Sequence, residues 1–195
     1  MKRRVTLLFI GLLGTGLAAD SAILDSVHSA LYRQAGSLVD MEIIHRQYGQ
    51  DWLDRAQMEI VGVGRYLLDT PEQLIKVDKT VIQTWNKGAD QLIIDQVNPN
   101  EVSILNILTG DFSLIEVVKS RAISQVRRLE FRLPAAEISG EIVIGRQTNL
   151  PEEIIIFFTE DDRIRLLINK IEPLSEPSRF ANWQYTGKDI IDLRE

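Results

Sequence analysis

The sequence predicts a mostly β fold of the α+β class: an incomplete antiparallel β-barrel, formed by one strongly curved sheet, with helices covering its concave face. Three observations lead there. After Gly36 the apolar residues recur with a period of two, as on half-buried strands. Short strands follow one another at close spacing with tight turns between them, the pattern of an antiparallel meander. Two segments with helical spacing are apolar on one side and need an apolar surface to lie on.

Residues Asp20 to Ala35 carry the first helical pattern, with Ile23, Val27, Ala30 and Leu31 on one face. Asp20 or Ser21 is suited to cap its start and Gly36 to end it. Strand alternation begins with Val39, Met41 and Ile43 against Asp40 and Glu42, and continues with Ala56, Met58 and Ile60 against Gln57 and Glu59. Strands are expected at Gln73–Val77, Thr80–Trp85 and Gln91–Val97, with turns at Asp78-Lys79 and Asn86-Lys87-Gly88. A helix then interrupts the sheet: Asn98 stands as its cap, Pro99 at the first helical position and Glu101 at the third. Ile104, Leu105, Ile107 and Leu108 follow, and Gly110 is placed to stop it. Strands resume at Leu129, Phe131 and Leu133, at Ile142 and Ile144, at Ile154 to Phe158, and at Ile164, Leu166 and Ile168. Glu160-Asp161-Asp162 is the turn between the last two. The expected total is about ten antiparallel strands in one sheet.

Composition narrows the function. The 195 residues carry a formal net charge of −6 and no basic stripe, which removes the main source of nucleic-acid affinity. Lys2, Arg3 and Arg4, then the uncharged apolar run Val5 to Leu17, then Ala18, Ala19, Ser21 and Ala22, read as a secretory signal peptide. The run is short of the roughly 20 apolar residues a membrane helix needs. Gly11, Gly14 and Gly16 argue against a stable buried helix there. Residues 1–19 are therefore expected to be a signal, cleaved near 18–21, and residues 20–195 a single domain in the periplasm. With no cysteine there is no disulfide and no lipid-modifiable Cys.

Catalytic patterns are scarce. Neither of the two histidines, His28 and His45, has a partner at metal-ligand spacing. There is no G-x-S-x-G elbow and no cysteine nucleophile. Gly62 and Gly64 in Val-Gly-Val-Gly-Arg look like a phosphate loop, but strand-like residues flank both sides where a helix should follow; glycines that let a strand bend fit better. Glu160–Asp162, and Asp51 and Asp54 around Trp52, read as solvated turns rather than a calcium site. No catalytic residue, metal or cofactor is expected. What stands out is apolar surplus on strands, in particular Met58, Ile60, Tyr66, Leu68, Trp85, Phe131, Ile156 and Phe158, with Phe157 beside them. Such a wall could be packed solid. If hollow, it would hold acyl chains at about 25 cal/mol per Å² of apolar area buried.

Val77-Asp78-Lys79-Thr80-Val81-Ile82-Gln83-Thr84-Trp85-Asn86 resembles the strand–turn–strand signature of the LolA-type periplasmic lipoprotein carriers. The helix before Gly36 resembles that family's first helix, and Glu101–Leu108 falls where the family inserts its lid helices. The closing stretch, with Phe180, Trp183, Gly187, Ile190 and Leu193, is similar to the family's C-terminal pattern. The resemblance implies a lid (Ile104, Leu105, Ile107, Leu108) over a lipid-binding cavity lined by the eight strand residues Met58 to Phe158 named above. It implies lipoprotein acyl chains as ligand and two partners: an inner-membrane lipoprotein-releasing ABC transporter and an outer-membrane lipoprotein receptor; the chain is expected to be a monomer. Two positions depart from the family. Its Arg-Pro, whose Arg is associated with holding the lid closed through lid carbonyls, is replaced by Gly62-Val63. Arg65, three residues on, faces the other side of the strand and does not inherit the role. The Asp-Gly turn has Lys79 in place of Gly.

Three other readings share these residues: a carrier of free lipid or glycolipid, an interaction or sensor-regulator protein on the same fold, and an enzyme, the last without a convergent catalytic set.

Overall fold

The computed structural model describes residues 15–32, 36–98, 103–134, 138–159, 161–175 and 178–194. Its frame is one 12-stranded sheet that does not close, in the order β12-β6-β5-β4-β3-β2-β1-β11-β10-β9-β8-β7. The strands are β1 (Ser37–Gln47), β2 (Gln50–Gly62), β3 (Arg65–Asp69), β4 (Gln73–Asp78), β5 (Val81–Asn86), β6 (Gln91–Gln96), β7 (Glu116–Ile123), β8 (Val126–Leu133), β9 (Ile138–Gly145), β10 (Pro151–Phe157), β11 (Arg163–Pro173) and β12 (Asp189–Asp192). Three helices accompany them: α1 (Thr15–Leu31), α2 (Ile104–Leu108) and α3 (Arg179–Asn182). The incomplete barrel read from the sequence is therefore present.

Hydrophobic periodicity sets the register. In β1 and β2 the cross-strand pairs Val39↔Met58 and Met41↔Ala56 put apolar residues on one side of the sheet, and Asp40↔Gln57 on the other. The inward side chains Val39, Met41, Met58, Ile60, Tyr66, Leu68, Leu129, Phe131, Ile142, Ile154, Ile156 and Leu166 form one continuous core. Val27 and Leu31 of α1 and Ile104, Ile107 and Leu108 of α2 complete it from the concave side. The strands and two helices thus exchange their apolar faces with each other rather than with water.

Several details differ from the sequence expectation. There are twelve strands, because β7 and β12 carry weak alternation: every β12 residue and nearly every β7 residue is exposed. β12 pairs in parallel with β6, so the sheet is not wholly antiparallel. α1 spans Thr15–Leu31, so Asp20 and Ser21 lie within it rather than capping it, and it ends short of Gly36. α2 is capped by Ser103, whose Oγ accepts from the Leu105 amide at 3.2 Å. That hydroxyl satisfies a first-turn donor, so Asn98 is not needed as the cap. Residues 99–102, the expected first turn, lie outside the described residues, as does Glu160.

The two glycine questions have local answers. Gly64 (φ +62) sits in the turn between β2 and β3, a strand-to-strand bend and not a phosphate loop. Lys79, where the family's turn has Gly, keeps the left-handed conformation at φ +58.

α3 is absent from the sequence expectation. It lies on the convex face, where Phe180 packs with Leu67 and Leu74 and is flanked by Val61, Trp85 and Trp183. The buried Glu59 carboxylate on β2 anchors it, accepting from Ser178 Oγ at 2.8 Å and the Phe180 amide at 3.0 Å. A neighbouring tie reinforces the strap: Asp69 accepts from Lys87 Nζ at 2.5 Å and from Arg179 at 2.6 Å. Burial alone raises the Asp69 carboxyl, but hydrogen bonds and charge from Lys87 and Arg179 outweigh it and hold it below its ordinary value. The stabilisation is therefore present above the ordinary carboxylate pKa and is lost as pH falls through the depressed one. Asp69→Asn is expected to cost about 1 kcal/mol or less at neutral pH and nothing in strong acid. Urea titrations at pH 7 and pH 2.5 check both halves.

Candidate functional site: a lidded concave face

Six of the eight strand residues singled out by the sequence share the concave surface. Met58 and Ile60 come from β2, Tyr66 and Leu68 from β3, Phe131 from β8 and Ile156 from β10, all buried. They lie together because cross-strand register stacks inward positions: Met58↔Leu68 and Ile60↔Tyr66 across β2–β3, and Phe131↔Gly140↔Ile156 across β8–β9–β10. Sequence reading missed equal contributors on the same rows, notably Leu129, Ile142, Ile144 and Leu166. Their alternation was the signal.

Two residues are corrected. Trp85 is on the opposite face: it pairs with Leu74 and Leu92, packs in the convex cluster with Phe180, and donates Nε1–H to Asp90 at 3.1 Å. Strand parity decides this, since Ile82, three residues earlier, is the inward one. Phe158 is exposed, because β10 ends at Phe157 and Phe158 opens the turn, its amide donating to the Asp162 carbonyl at 2.9 Å.

The lid residues behave as a unit. Ile104, Ile107 and Leu108 are buried against the sheet and Leu105 packs beside them. Two polar sites tether the helix. At its start, the Ser103 side chain shares a hydrogen bond with the Tyr66 hydroxyl, whose pKa burial pushes up to about 12 even though that bond lowers it. At its end, Thr109 is fully buried. Its carbonyl accepts from the Tyr32 hydroxyl at 2.6 Å, and its Oγ1 accepts from the Gly64 amide at 3.2 Å. Burial, and then the Asp111 charge, push the Tyr32 hydroxyl well above its ordinary value, so it stays a donor. Arg65 takes no part: it pairs with Asp78 at 2.9 Å and lies over the Phe180 ring on the convex side. The backbone of the Gly62–Gly64 turn and the Tyr32 hydroxyl thus hold the end of the lid. No spacing rule could have found a contact between residues 77 apart in sequence.

Tyr32→Phe removes a donor from a buried carbonyl, a loss of about 1 kcal/mol. Exchange protection of the residue 104–110 amides should fall about fivefold while global stability falls by no more than that amount. Unchanged protection would show that the tether is idle.

Two spaces adjoin the apolar core among the described residues. A cavity of about 270 Å³ lies beside the lid start, between Tyr66, Val77, Ile82, Val97, Ser103 and Asn106. Another of about 270 Å³ lies between the end of α1 and β11, lined by Ala30, Leu31, Gly36, Leu150 and Ile171. Each is below the roughly 300–1,000 Å³ of ordinary ligand pockets. Among the described residues no group of three or more His, Cys, Asp or Glu is arranged to hold a metal. No helix among them is long and apolar enough to cross a membrane.

No protein-family model matches the chain, and no curated protein matches it. Solved structures do. An uncharacterized conserved protein from Thermus thermophilus superposes with TM-score 0.57 at 7% identity, covering 89% of this chain and 99% of that one. A LolA superfamily protein from Nitrosomonas europaea gives TM-score 0.49 at 13% identity, covering 80% and 94%. A putative outer membrane lipoprotein-sorting protein domain from Vibrio parahaemolyticus gives 0.44 at 8%, covering 82% and 96%. At 7% identity the first likeness is one of fold alone: an open, curved sheet accompanied by helices.

Proposed function

We propose that the chain is a periplasmic carrier that shields the acyl chains of lipoproteins in its concave face and ferries them from the inner to the outer membrane. The observation that carries this reading is the lid: a five-residue apolar helix filling a curved sheet and tethered by few polar bonds. Ile104, Ile107 and Leu108 cover in the closed state the surface that hydrocarbon would cover in the open one. A carrier needs such an exchange, since apolar area is then never left bare and affinity is the difference between two burials. The signal peptide, the single domain and the two membrane partners implied by the sequence resemblance belong to the same proposal. Processing near 18–21 would remove only the first turn or two of α1 and keep Val27 and Leu31, its core contacts.

Titration of the protein with a fluorescent triacylated lipopeptide tests it. Saturable one-to-one uptake, competed by unlabelled lipopeptide, is expected. Absence of saturable uptake, with free fatty acid or glycolipid bound instead, would replace the reading by that of a lipid carrier.

A further inference from the structure

The end of the sheet formed by the β1–β2 and β10–β11 turns has a chemistry that shielding acyl chains does not require. β1 and β2 meet in a two-residue turn, Tyr48-Gly49, with φ +51 and +76. A turn of this kind favours Asn or Gly at its first position, because a bulky side chain there is strained. Tyrosine holds it here, and its side chain is 88% exposed. Trp52 and Leu53 follow at 47% and 55% exposure, and Phe158 is 43% exposed. The four share one end of the molecule because the registers Asp51↔Arg46, Arg46↔Arg163 and Phe157↔Arg163 align the two turns. β3 pairs with β2 only from Gln57 to Gly62, so residues 50–56 extend beyond it as an arm with β1 alone.

We infer that this end is a membrane-contact tip whose occupant is the interfacial layer of a phospholipid bilayer. Tyr and Trp are the side chains that sit at headgroup depth, apolar body inward and polar tip in water, while Leu53 and Phe158 add hydrocarbon to be buried below it. The exposed area is on the order of 500 Å², below the roughly 800 Å² per partner of a stable protein interface. It is also divided between two turns, one of them at the end of an arm that extends beyond β3, a shape that enters a fluid layer more readily than it matches a second copy of the chain. Among the described residues, 46–55 and 158–165 carry four arginines against four carboxylates, so the tip is close to neutral in a chain of net charge −6. The bilayer partner is therefore a zwitterionic surface, and binding depends little on salt.

The inference is independent of what the concave face holds. The test uses protein purified from the periplasmic fraction and phosphatidylcholine vesicles. Co-sedimentation should show partitioning that changes less than twofold between 50 and 500 mM NaCl and falls at least tenfold in Tyr48→Ser/Trp52→Ser/Leu53→Ser. A urea unfolding midpoint matching the parent's reports that the fold of the triple variant is intact. Should the triple variant misfold, a Trp85→Phe/Trp183→Phe protein leaves Trp52 as the sole tryptophan, and brominated phosphatidylcholine should quench it. Absence of partitioning, equal partitioning of the triple variant, an unquenched Trp52, or a tip-dependent dimer without vesicle binding would each overturn the proposal. Loss of lipopeptide uptake with vesicle binding intact would instead count against the carrier reading alone.

Discussion

Phe131→Ala is expected to lower the unfolding free energy by about 3–5 kcal/mol, the usual cost of emptying a buried phenylalanine site. Phe131 is almost fully enclosed towards the C-terminal end of β8, and its pair on β9 is Gly140. A side chain at Gly140 would collide with the Phe131 ring and with the Ile155 carbonyl, so the ring occupies the space that glycine leaves. Gly140→Ala should therefore also be destabilising, by about 1–3 kcal/mol of overpacking. The double variant Phe131→Ala/Gly140→Ala should recover part of that second loss and no more, because the Ile155 carbonyl remains in the way. The two changes are coupled, and a double-mutant cycle in urea should give a non-zero interaction term. A Gly140→Ala protein as stable as the parent would contradict the packing described.

The pair also shows why the sequence revealed some of the site and not the rest. Phe131 was legible because Leu129, Phe131 and Leu133 alternate with Arg128, Glu130 and Arg132, and a period of two with one charged side has few other readings. Gly140 was not, since its role depends on which strand lies beside β8. Trp85 failed for a related reason. Its strand was read correctly, but Val81-Ile82-Gln83-Thr84-Trp85 is nearly as apolar on one side as on the other, and only the C-terminal strap determines that the tryptophan side is also covered. α3 could not be anticipated from Arg179–Asn182 alone, because its anchor, Glu59, is over a hundred residues away. For the lid, apolar content and position were readable. Its cap and tethers were not, since Ser103, Tyr66, Tyr32 and Gly64 are ordinary residues until the fold assembles them.

Ile107→Ala/Leu108→Ala should raise lipopeptide affinity by tenfold or more while lowering the melting temperature. Both side chains are fully enclosed in the closed interior. Burial of each contributes about 1.5–3 kcal/mol to the closed state. An acyl chain bound as proposed would have to displace them, so their burial would subtract from its binding free energy. Apparent affinity scales with the fraction of protein whose lid is open, and trimming the lid raises that fraction. Leu129→Ala is the counterpart on the sheet wall. Leu129 is equally enclosed but belongs to the sheet wall of the same core, which stays in place if α2 moves, so the proposed ligand would lie against that wall. Its truncation should lower stability by about 2–5 kcal/mol and weaken lipopeptide binding as well. Opposite signs on affinity with the same sign on stability separate lid from wall, which neither measurement does alone. If both variants bind lipopeptide more weakly, α2 is a fixed part of the core, and the exchange of helix for hydrocarbon does not occur.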